Sequence, residues 1–299
     1  MFDTTPTLDC AGRPLLLDRP RIMGIVNVTP DSFSDGGALA DVEAAVAHAQ
    51  KLVEEGADLL DIGGESTRPG AEAVAAATEL ARVIPVLERL VDAVDVPVSV
   101  DTSKPEVMRA AIEAGAHMIN DVNALRADGA LDAVAASRVA VCLMHMQGAP
   151  RTMQDDPQYD DVAADVHRFL AERIFACEMA GIDKRRLLVD PGFGFGKSVD
   201  HNYRLLRQLG RFVDLGVPLL AGLSRKSMIG AVTGLPVDQR VVGSAVAAIL
   251  AAEQGARILR VHDVAPTREA LAVWQAYAAQ PAPRGAPAAK PAIRWPDED

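Results

Sequence analysis

The sequence is poor in aromatic residues and in cysteine. Only 4% of its 299 residues are aromatic, so the core must be built mainly from Ala, Val, Leu and Ile, within a hydrophobic fraction of 49%. The three cysteines, Cys10, Cys142 and Cys177, are odd in number and far apart. This pattern favours buried, reduced thiols over a disulfide framework or a cysteine metal site.

Long apolar runs and an excess of basic residues are missing as well. No apolar run approaches the roughly 20 residues that a membrane-spanning helix needs, and the N-terminus lacks the basic-then-apolar pattern of a signal peptide. The net charge of −11 argues against a general nucleic-acid or membrane-surface binder. We therefore expect a cytoplasmic protein that binds neither nucleic acid nor a membrane. If its ligand is anionic, the site must be a local positive region.

Short apolar runs alternate with helical patterns along most of the chain. Continuous runs of this length are typical of strands that helices cover on both faces. The candidate strands are 21–26, 58–62, 96–100, 116–119, 140–144, 187–189, 218–221 and 257–261. A strand-then-helix unit repeated in this way predicts an α/β fold, a single-domain (β/α)8 barrel, with an open doubly wound sheet as the alternative.

The predicted barrel occupies residues 20–279. Residues 1–19 form an N-terminal extension, and residues 280–299, rich in Pro and Ala, are predicted to be a disordered tail. One helix after the third candidate strand has a predicted capping box of Ser103 and Glu106, with Pro105 in its first turn.

A polar or charged group follows each candidate strand, at the barrel end where active sites of this fold lie. These groups are Asn27, Glu65 with Thr67 and Arg68, Asp101, Asn120 with Asp121, His145, Asp190, Ser224 with Arg225 and Lys226, and Arg260 with His262 and Asp263. Water at strand ends explains part of the pattern. It does not explain carboxylates set against apolar runs, or cations gathered after the last two strands of an acidic chain. A ligand edge with N–H donors would partner the carboxylates, and the cations indicate a phosphate site.

Two familiar motifs are excluded. The segment GFGFGKS at 192–198 resembles a phosphate loop, but Pro191 stands where that motif requires its first glycine. We interpret its glycines as a flexible loop that lets the backbone approach a ligand. The six histidines are scattered without an HExxH motif, so a zinc site is not predicted.

The segments around these strand ends together resemble the dihydropteroate synthase family, in the family's order, across about residues 20–275. The matching segments are 23–37, 61–71, 99–107, 115–122, 142–154, 190–202, 220–230, 240–248 and 260–264. The resemblance implies a (β/α)8 barrel, usually a homodimer. It also implies that 6-hydroxymethyl-7,8-dihydropterin diphosphate is joined to 4-aminobenzoate, with Mg²⁺, to give 7,8-dihydropteroate and diphosphate.

The same resemblance implies roles for individual residues. Asp101, Asn120 and Asp190 would bind the pterin ring, and Asn27 would be the Mg²⁺ ligand. The catalytic set would be Asp101, Lys226, Arg260 and His262, of which Arg260 and His262 anchor diphosphate. The other substrate-binding residues would be Thr67, Arg68 and Pro69 of a mobile loop, together with Met144, Phe195, Gly222 and Ser224.

The chemistry of a pterin agrees with these roles. Its amino-pyrimidinone edge carries adjacent N–H donors, so the Asp190 carboxylate can accept two parallel hydrogen bonds from it. The Asn120 amide can both donate and accept, which suits a mixed ring edge. We also expect the loops at 29–37 and 66–71 to be poorly ordered without ligand, since both must close over the reactants.

Two other functions stay open at this stage. A methyltransferase that uses methyl-tetrahydrofolate needs a similar pterin pocket but no diphosphate site, so Lys226, Arg260 and His262 argue against it. A pterin-binding paralogue without turnover has the same sequence features and is distinguished by a turnover assay.

Overall fold

The computed structural model describes residues 6–29, 38–66, 71, 73–148 and 152–281. In these ranges the strands are β1 Thr7–Cys10, β2 Arg13–Leu16, β3 Arg21–Asn27, β4 Leu59–Gly63, β5 Val98–Asp101, β6 Met118–Asp121, β7 Ala140–Met144, β8 Leu187–Asp190, β9 Leu220–Ala221 and β10 Ile258–Val261. The α-helices are α1 Ala38–Glu55, α2 Ala76–Ala93, α3 Pro105–Glu113, α4 Ala130–Ala135, α5 Val162–Met179, α6 Val199–Arg207, α7 Ser227–Thr233, α8 Val241–Glu253 and α9 Val264–Ala278. Short 3-10 helices lie at Lys184–Arg186, Leu209–Leu215 and Val237–Gln239.

Strands β3 to β10 form one parallel sheet in the order β8-β7-β6-β5-β4-β3-β10-β9. A single parallel bridge between Val189 and Leu219 joins its two ends, so one bridge rather than a full ladder closes the barrel. The predicted (β/α)8 barrel is confirmed, and the open doubly wound sheet is wrong. Strand β9 is shorter than predicted; Pro218, which has no N–H to donate, precedes its ladder.

Alternate residues of each strand face the helices and the barrel interior, as the period of two requires. On β5, Val98 and Val100 belong to the main apolar core shared with the helices. Ser99 and Asp101 therefore point into the barrel. The same parity turns Asp61 of β4 and Asn120 of β6 inward, because Asp61 pairs in register with Ser99, and Asn120 with Asp101.

The N-terminal extension contains a hairpin that the sequence analysis did not predict. Strands β1 and β2 pair antiparallel around Ala11 and Gly12, which both have positive φ, at 53° and 85°. Its apolar face packs on the amino-terminal layer of the barrel interior, in a cluster of Leu8, Cys10, Leu15, Leu17, Met23, Leu59, Met118, Ala140, Cys142, Leu188, Leu220 and Ile258. The hairpin therefore covers the barrel end opposite the predicted site.

The capping box predicted at Ser103 and Glu106 is wrong. The N-cap of α3 is Lys104, without a side-chain capping bond, although Pro105 does occupy the first turn. The Lys104 side chain instead reaches back to Glu65 and Glu79. A capping box is found on α6, where the Ser198 and His201 side chains each accept from the other's backbone N–H. Among the described helices, none has the length and apolarity to cross a membrane.

Candidate active site

Inward-facing residues at the carboxyl ends of neighbouring strands bring the predicted polar groups together. Asn27 pairs in register with Gly63, Gly63 with Asp101, and Asp101 with Asn120, so one line of register crosses four strands. A Cβ atom built on Gly63 would lie 3.9 Å from Asn27 Oδ1 and 4.0 Å from Asp101 Oδ2. The missing side chain of Gly63 thus leaves the space between these two oxygens open.

Arg260 of β10 lies at the centre of this group. Its Nε donates to Asp61 Oδ2 at 2.6 Å, and its Nη2 donates to Asp101 Oδ2 at 2.8 Å. Burial alone would lower the pKa of the guanidinium, but the carboxylates of Asp61 and Asp101 raise it above the ordinary arginine value. The positive charge of Arg260 is therefore shared by two buried carboxylates.

Asp101 and Asp190 are acidic groups at the carboxyl ends of β5 and β8. Burial raises the pKa of Asp101, and Asp61 adds to the rise while Arg260 opposes it. Burial also raises the pKa of Asp190, whose Oδ1 accepts from the Gly192 N–H at 2.7 Å. A Cβ atom on Gly222 would lie 3.7 Å from Asp190 Oδ2, so the glycine leaves that oxygen uncovered.

Lys226 and Phe195 form a cationic and aromatic wall beside these acids. Lys226 Nζ lies 4.2 Å from the centre of the Phe195 ring, within the range of a cation–π interaction. Burial lowers the pKa of Lys226 to about 8, and Arg260 adds to the decrease. Phe195 packs with Met144 in a small apolar cluster, so the structure brings both predicted substrate-binding residues together.

Ser224 and His262 meet on the strand ends of β9 and β10. The Ser224 Oγ accepts from the His262 backbone N–H at 3.2 Å and lies 3.0 Å from His262 Nδ1. The adjacent Arg225 has a positive φ of 58° and points to Asp263, with guanidinium–carboxylate distances of 2.6 and 2.9 Å. Asp263 thus neutralises Arg225, one of the cations predicted to gather after the last two strands, directly before Lys226.

The glycine-rich loop after β8 is packed against protein rather than standing open. Gly192 and Gly196 have positive φ, and a Cβ on either would collide with the backbone oxygens of His145 and Gln147. Lys197 is buried beneath the loop and donates to the Gly192 and Phe195 carbonyls at 2.9 and 3.1 Å. The glycines thus permit the loop after β8 to pack closely against the loop after β7. These contacts hold the loop in place, and this replaces the interpretation of a flexible loop.

Two predicted groups lie outside the site. Asp121 follows Asn120 directly and therefore faces the opposite side of β6, where its oxygens accept from Asn123 N and Leu125 N at 2.7 Å each. His145 is buried, with Nδ1 3.0 Å from Lys197 Nζ, and burial lowers its pKa to about 2. Both oxygens of Asp121 and the Nδ1 of His145 thus have partners within the chain.

The segment that contains Thr67, Arg68 and Pro69 lies outside the described residues, as do residues 30–37 of the other predicted mobile loop. Glu65, which precedes the segment of Thr67, belongs to an ion cluster that the sequence analysis did not predict. Lys104 Nζ lies 2.5 Å from Glu65 Oε2 and from Glu79 Oε2, and Glu65 Oε1 also accepts from the Val74 N–H at 2.7 Å. Glu79 is fully buried on α2, so its charge depends on Lys104 for compensation.

Asn27 and Asp101 are the residues here that suit a magnesium ion. No group of three or more metal-ligating His, Cys, Asp or Glu side chains occurs among the described residues. Mg²⁺ usually keeps several waters and binds one or two protein oxygens together with substrate phosphates. Asn27 Oδ1 and Asp101 Oδ2, on either side of Gly63, are oxygens of the type that Mg²⁺ binds, and Asp101 Oδ2 also accepts from Arg260 Nη2.

Comparisons with known proteins agree with this geometry. Residues 23–262 match the family model described as pterin binding enzyme. The chain is 54% identical over 265 residues to the dihydropteroate synthase of Escherichia coli K12, covering 89% of this chain and 94% of that protein. A structure of Xanthomonas albilineans dihydropteroate synthase with 4-aminobenzoic acid matches at 68% identity and a TM-score of 0.88, covering 93% of this chain and 100% of the other. Another, with 7,8-dihydropteroate, matches at 65% identity and a TM-score of 0.84, covering 92% and 100%.

Fold and pocket define a (β/α)8-barrel enzyme whose site opens at the carboxyl ends of the strands. The chain belongs to the pterin binding enzyme family and, within it, to the dihydropteroate synthases. The family predicted from the sequence is therefore confirmed.

Proposed function

We propose that the protein condenses 6-hydroxymethyl-7,8-dihydropterin diphosphate with 4-aminobenzoate, releasing 7,8-dihydropteroate and diphosphate. The observation that carries this proposal is the pocket in which Asp101, Asn120 and Asp190 converge with Arg260 and Lys226 at one barrel mouth. The relatives that share the fold at high identity are dihydropteroate synthases over nearly their whole length.

The acidic and amide groups would hold the pterin ring. Asp190 Oδ2 faces open space beside Gly222, and it can accept from the amino and ring N–H donors of a pterin. Asn120 supports the ring from the neighbouring side of the barrel. Lys226, with its ammonium over Phe195, borders both the ring and the space that Phe195 and Met144 would offer to 4-aminobenzoate.

The cations would serve the departure of diphosphate. The bond between the pterin methylene carbon and a diphosphate oxygen breaks, and diphosphate leaves with the electron pair. The aniline nitrogen then attacks the methylene cation and loses a proton. Arg260 and His262 would stabilise the leaving anion, and Asn27 would hold the Mg²⁺, which neutralises diphosphate charge.

A covalent route through a cysteine finds no support in this arrangement. All three cysteines are buried. Burial raises the pKa of Cys142, the cysteine inside the barrel below the site, well above the ordinary thiol value. A thiol of raised pKa is a poor nucleophile, so positioning and charge stabilisation are the contributions that remain to the chain.

We also propose that the protein is a cytoplasmic homodimer. Val242, Val246 and Leu250 of α8 are 76%, 54% and 44% exposed and follow at intervals of four residues, so they form one apolar stripe. Val232 of α7, a helix that contacts α8, is also an exposed apolar residue, at 63%. Exposed apolar patches of this kind mark protein–protein contacts, and a second copy of the chain is the partner that the family resemblance implies.

The activity is tested directly by mixing the purified protein with the pterin diphosphate, 4-aminobenzoate and Mg²⁺. We expect dihydropteroate and diphosphate in equal amounts, and no product when either substrate is left out. Binding of the pterin without any turnover would favour the non-catalytic paralogue. Turnover of methyl-tetrahydrofolate in place of the diphosphate would favour the methyltransferase.

The lowered pKa of Lys226 predicts a loss of activity at alkaline pH. The ammonium is charged below its pKa of about 8 and neutral above it, so kcat/KM for the pterin diphosphate should fall as pH rises through about 8. The pH profile of kcat/KM reports free-enzyme groups and is the measurement to make. In Lys226→Gln this alkaline decrease should be absent; a variant that keeps it would assign the decrease to another group.

A further inference from the structure

Asp61 is a fully buried carboxylate of β4 that lies one inward-facing position deeper than Gly63. Its Oδ2 accepts from Arg260 Nε at 2.6 Å and from Asn120 Nδ2 at 3.0 Å. Both donors belong to the proposed pterin pocket, and they come from strands on opposite sides of β4. A single carboxylate oxygen therefore joins two pocket side chains whose strands, β6 and β10, are not neighbours in the sheet.

The contact with Asp61 decides how the Asn120 amide is oriented. A carboxylate is only an acceptor, so the NH₂ of Asn120 must face Asp61, and the carbonyl oxygen must point away from it. Asp61 lies deeper in the barrel than Asn120, because Asn120 pairs in register with Asp101 and Asp61 pairs with Ser99. The carbonyl oxygen of Asn120 is thereby directed toward the mouth, where it can accept from a ring N–H.

The contact with Asp61 also fixes the plane of the Arg260 guanidinium. Asp101 alone holds one terminal nitrogen at 2.8 Å and would leave the group free to turn about that contact. The second contact, at Nε, removes this freedom, because a guanidinium is planar and its donors have a fixed geometry. Nη1 makes no hydrogen bond to any residue in the described part of the chain, and it is left for a ligand.

We propose that Asp61 is a positioning residue of the pterin pocket, which orients the Asn120 amide and the Arg260 guanidinium and so sets the hydrogen-bonding pattern that selects the ring. This inference rests on the proposed function and deepens it. Asp61 acts through its neighbours, and its effect should depend on an acceptor oxygen at this place rather than on the negative charge.

Two substitutions at Asp61 distinguish a requirement for an acceptor oxygen from a requirement for negative charge. Asp61→Leu has a similar size but no acceptor, so Asn120 and Arg260 lose their orientation. We expect the affinity for the bare pterin, measured by calorimetry, to fall roughly tenfold or more, with KM for 4-aminobenzoate within about twofold of the wild type. Asp61→Asn keeps an oxygen that can accept from both donors, and its affinity should stay within about threefold of the wild type.

Ser99→Ala is the matched control. Ser99 lies beside Asp61 in register on the next strand, and its hydroxyl is buried without a hydrogen-bond partner among the described residues. Its removal should leave pterin affinity unchanged. If Asp61→Leu does not fold, Asp61→Ala, whose smaller side chain leaves room for water, carries the same expectations.

The inference is overturned if Asp61→Leu binds the pterin as the wild type does, or if the Leu and Asn variants lose affinity equally. An equal loss would mean that charge, and not orientation, is the contribution of Asp61. A wild-type protein that does not bind the pterin at all would overturn the proposed function instead, so the two failures are distinct.

Discussion

Arg260→Ala is expected to lower turnover about a hundredfold. Loss of one preorganised charge contact in a site of this kind costs about 3 kcal/mol of transition-state stabilisation, and Arg260 is central to the pocket through its contacts with Asp61 and Asp101. The more specific readout is the ratio of affinities for pterin diphosphate and bare pterin. The wild type should prefer the diphosphate, and the variant should lose most of that preference.

Arg260→Ala should also lower the affinity for the bare pterin, because Arg260 holds two carboxylates of the pocket. Affinity for the bare pterin cannot be expected to stay intact, because Asp61 and Asp101 lose their cation and Asn120 loses a fixed neighbour. For this reason the ratio of the two affinities, and not either value alone, measures the role in diphosphate binding. Arg257→Ala is the matched control. Arg257 directly precedes the amino end of β10, whereas Arg260 lies near its carboxyl end, so this variant should keep the full ratio. A variant at Arg260 that also keeps it would show that the leaving-group role is wrong.

Removal of Arg260 should also make stability depend more strongly on pH. The pKa of Asp101 is already raised by burial, and Arg260 opposes the rise, so the variant should raise it further. A carboxyl with a raised folded-state pKa holds its proton more tightly in the folded protein than in the unfolded one. Its contribution to stability is therefore present at low pH and lost as pH rises above about 4, the unfolded value. Urea unfolding should show a larger deficit of the variant at pH 8 than at pH 5.

The sequence predicted the barrel well because each strand is an apolar run covered by helices. The predicted site residues Asp101, Asn120 and Asp190 each end an apolar run and face the barrel interior, and their role in binding stays a prediction. The position after a strand did not by itself separate Asn120 from Asp121, which are neighbours in the chain but lie on opposite faces of β6; only the family resemblance assigned Asn120 alone to the site. The period of two would separate them once the phase of the strand is known: Ile119 belongs to the core shared with the helices, so Asn120 must face the interior.

The parts that were missed depend on partners distant in the chain. Asp61 is separated from Arg260 by 199 positions, and nothing local marks it except an acid within an apolar strand. Lys104 was assigned to no cluster, although its ammonium pairs with Glu65 and Glu79, which precede it by 39 and 25 positions. The hairpin was missed because its turn places Ala11, a residue that rarely adopts positive φ, in the left-handed region.

The pterin pocket is tested most sharply by Asp190→Asn, which changes one atom. The Gly192 N–H donates to Asp190 Oδ1 at 2.7 Å, and in the variant that N–H requires the amide oxygen. The NH₂ group is then forced to the position of Oδ2, beside Gly222 and facing the ligand. A donor thus meets the N–H donors of the pterin edge. Because a hydrogen bond to a charged group contributes about 1.5–3 kcal/mol, pterin affinity should fall roughly tenfold or more.

Calorimetry with the bare pterin measures this loss without the contribution of diphosphate. Asp121→Asn is the matched control, since Asp121 is also a buried acid at a strand end but accepts only from Asn123 and Leu125 of its own turn. It should lose stability, because its second oxygen becomes a donor facing a donor, and it should keep its pterin affinity. The opposite pattern, a less stable Asp190→Asn that binds the pterin normally, would show that Asp190 shapes the loop after β8 and does not read the ring.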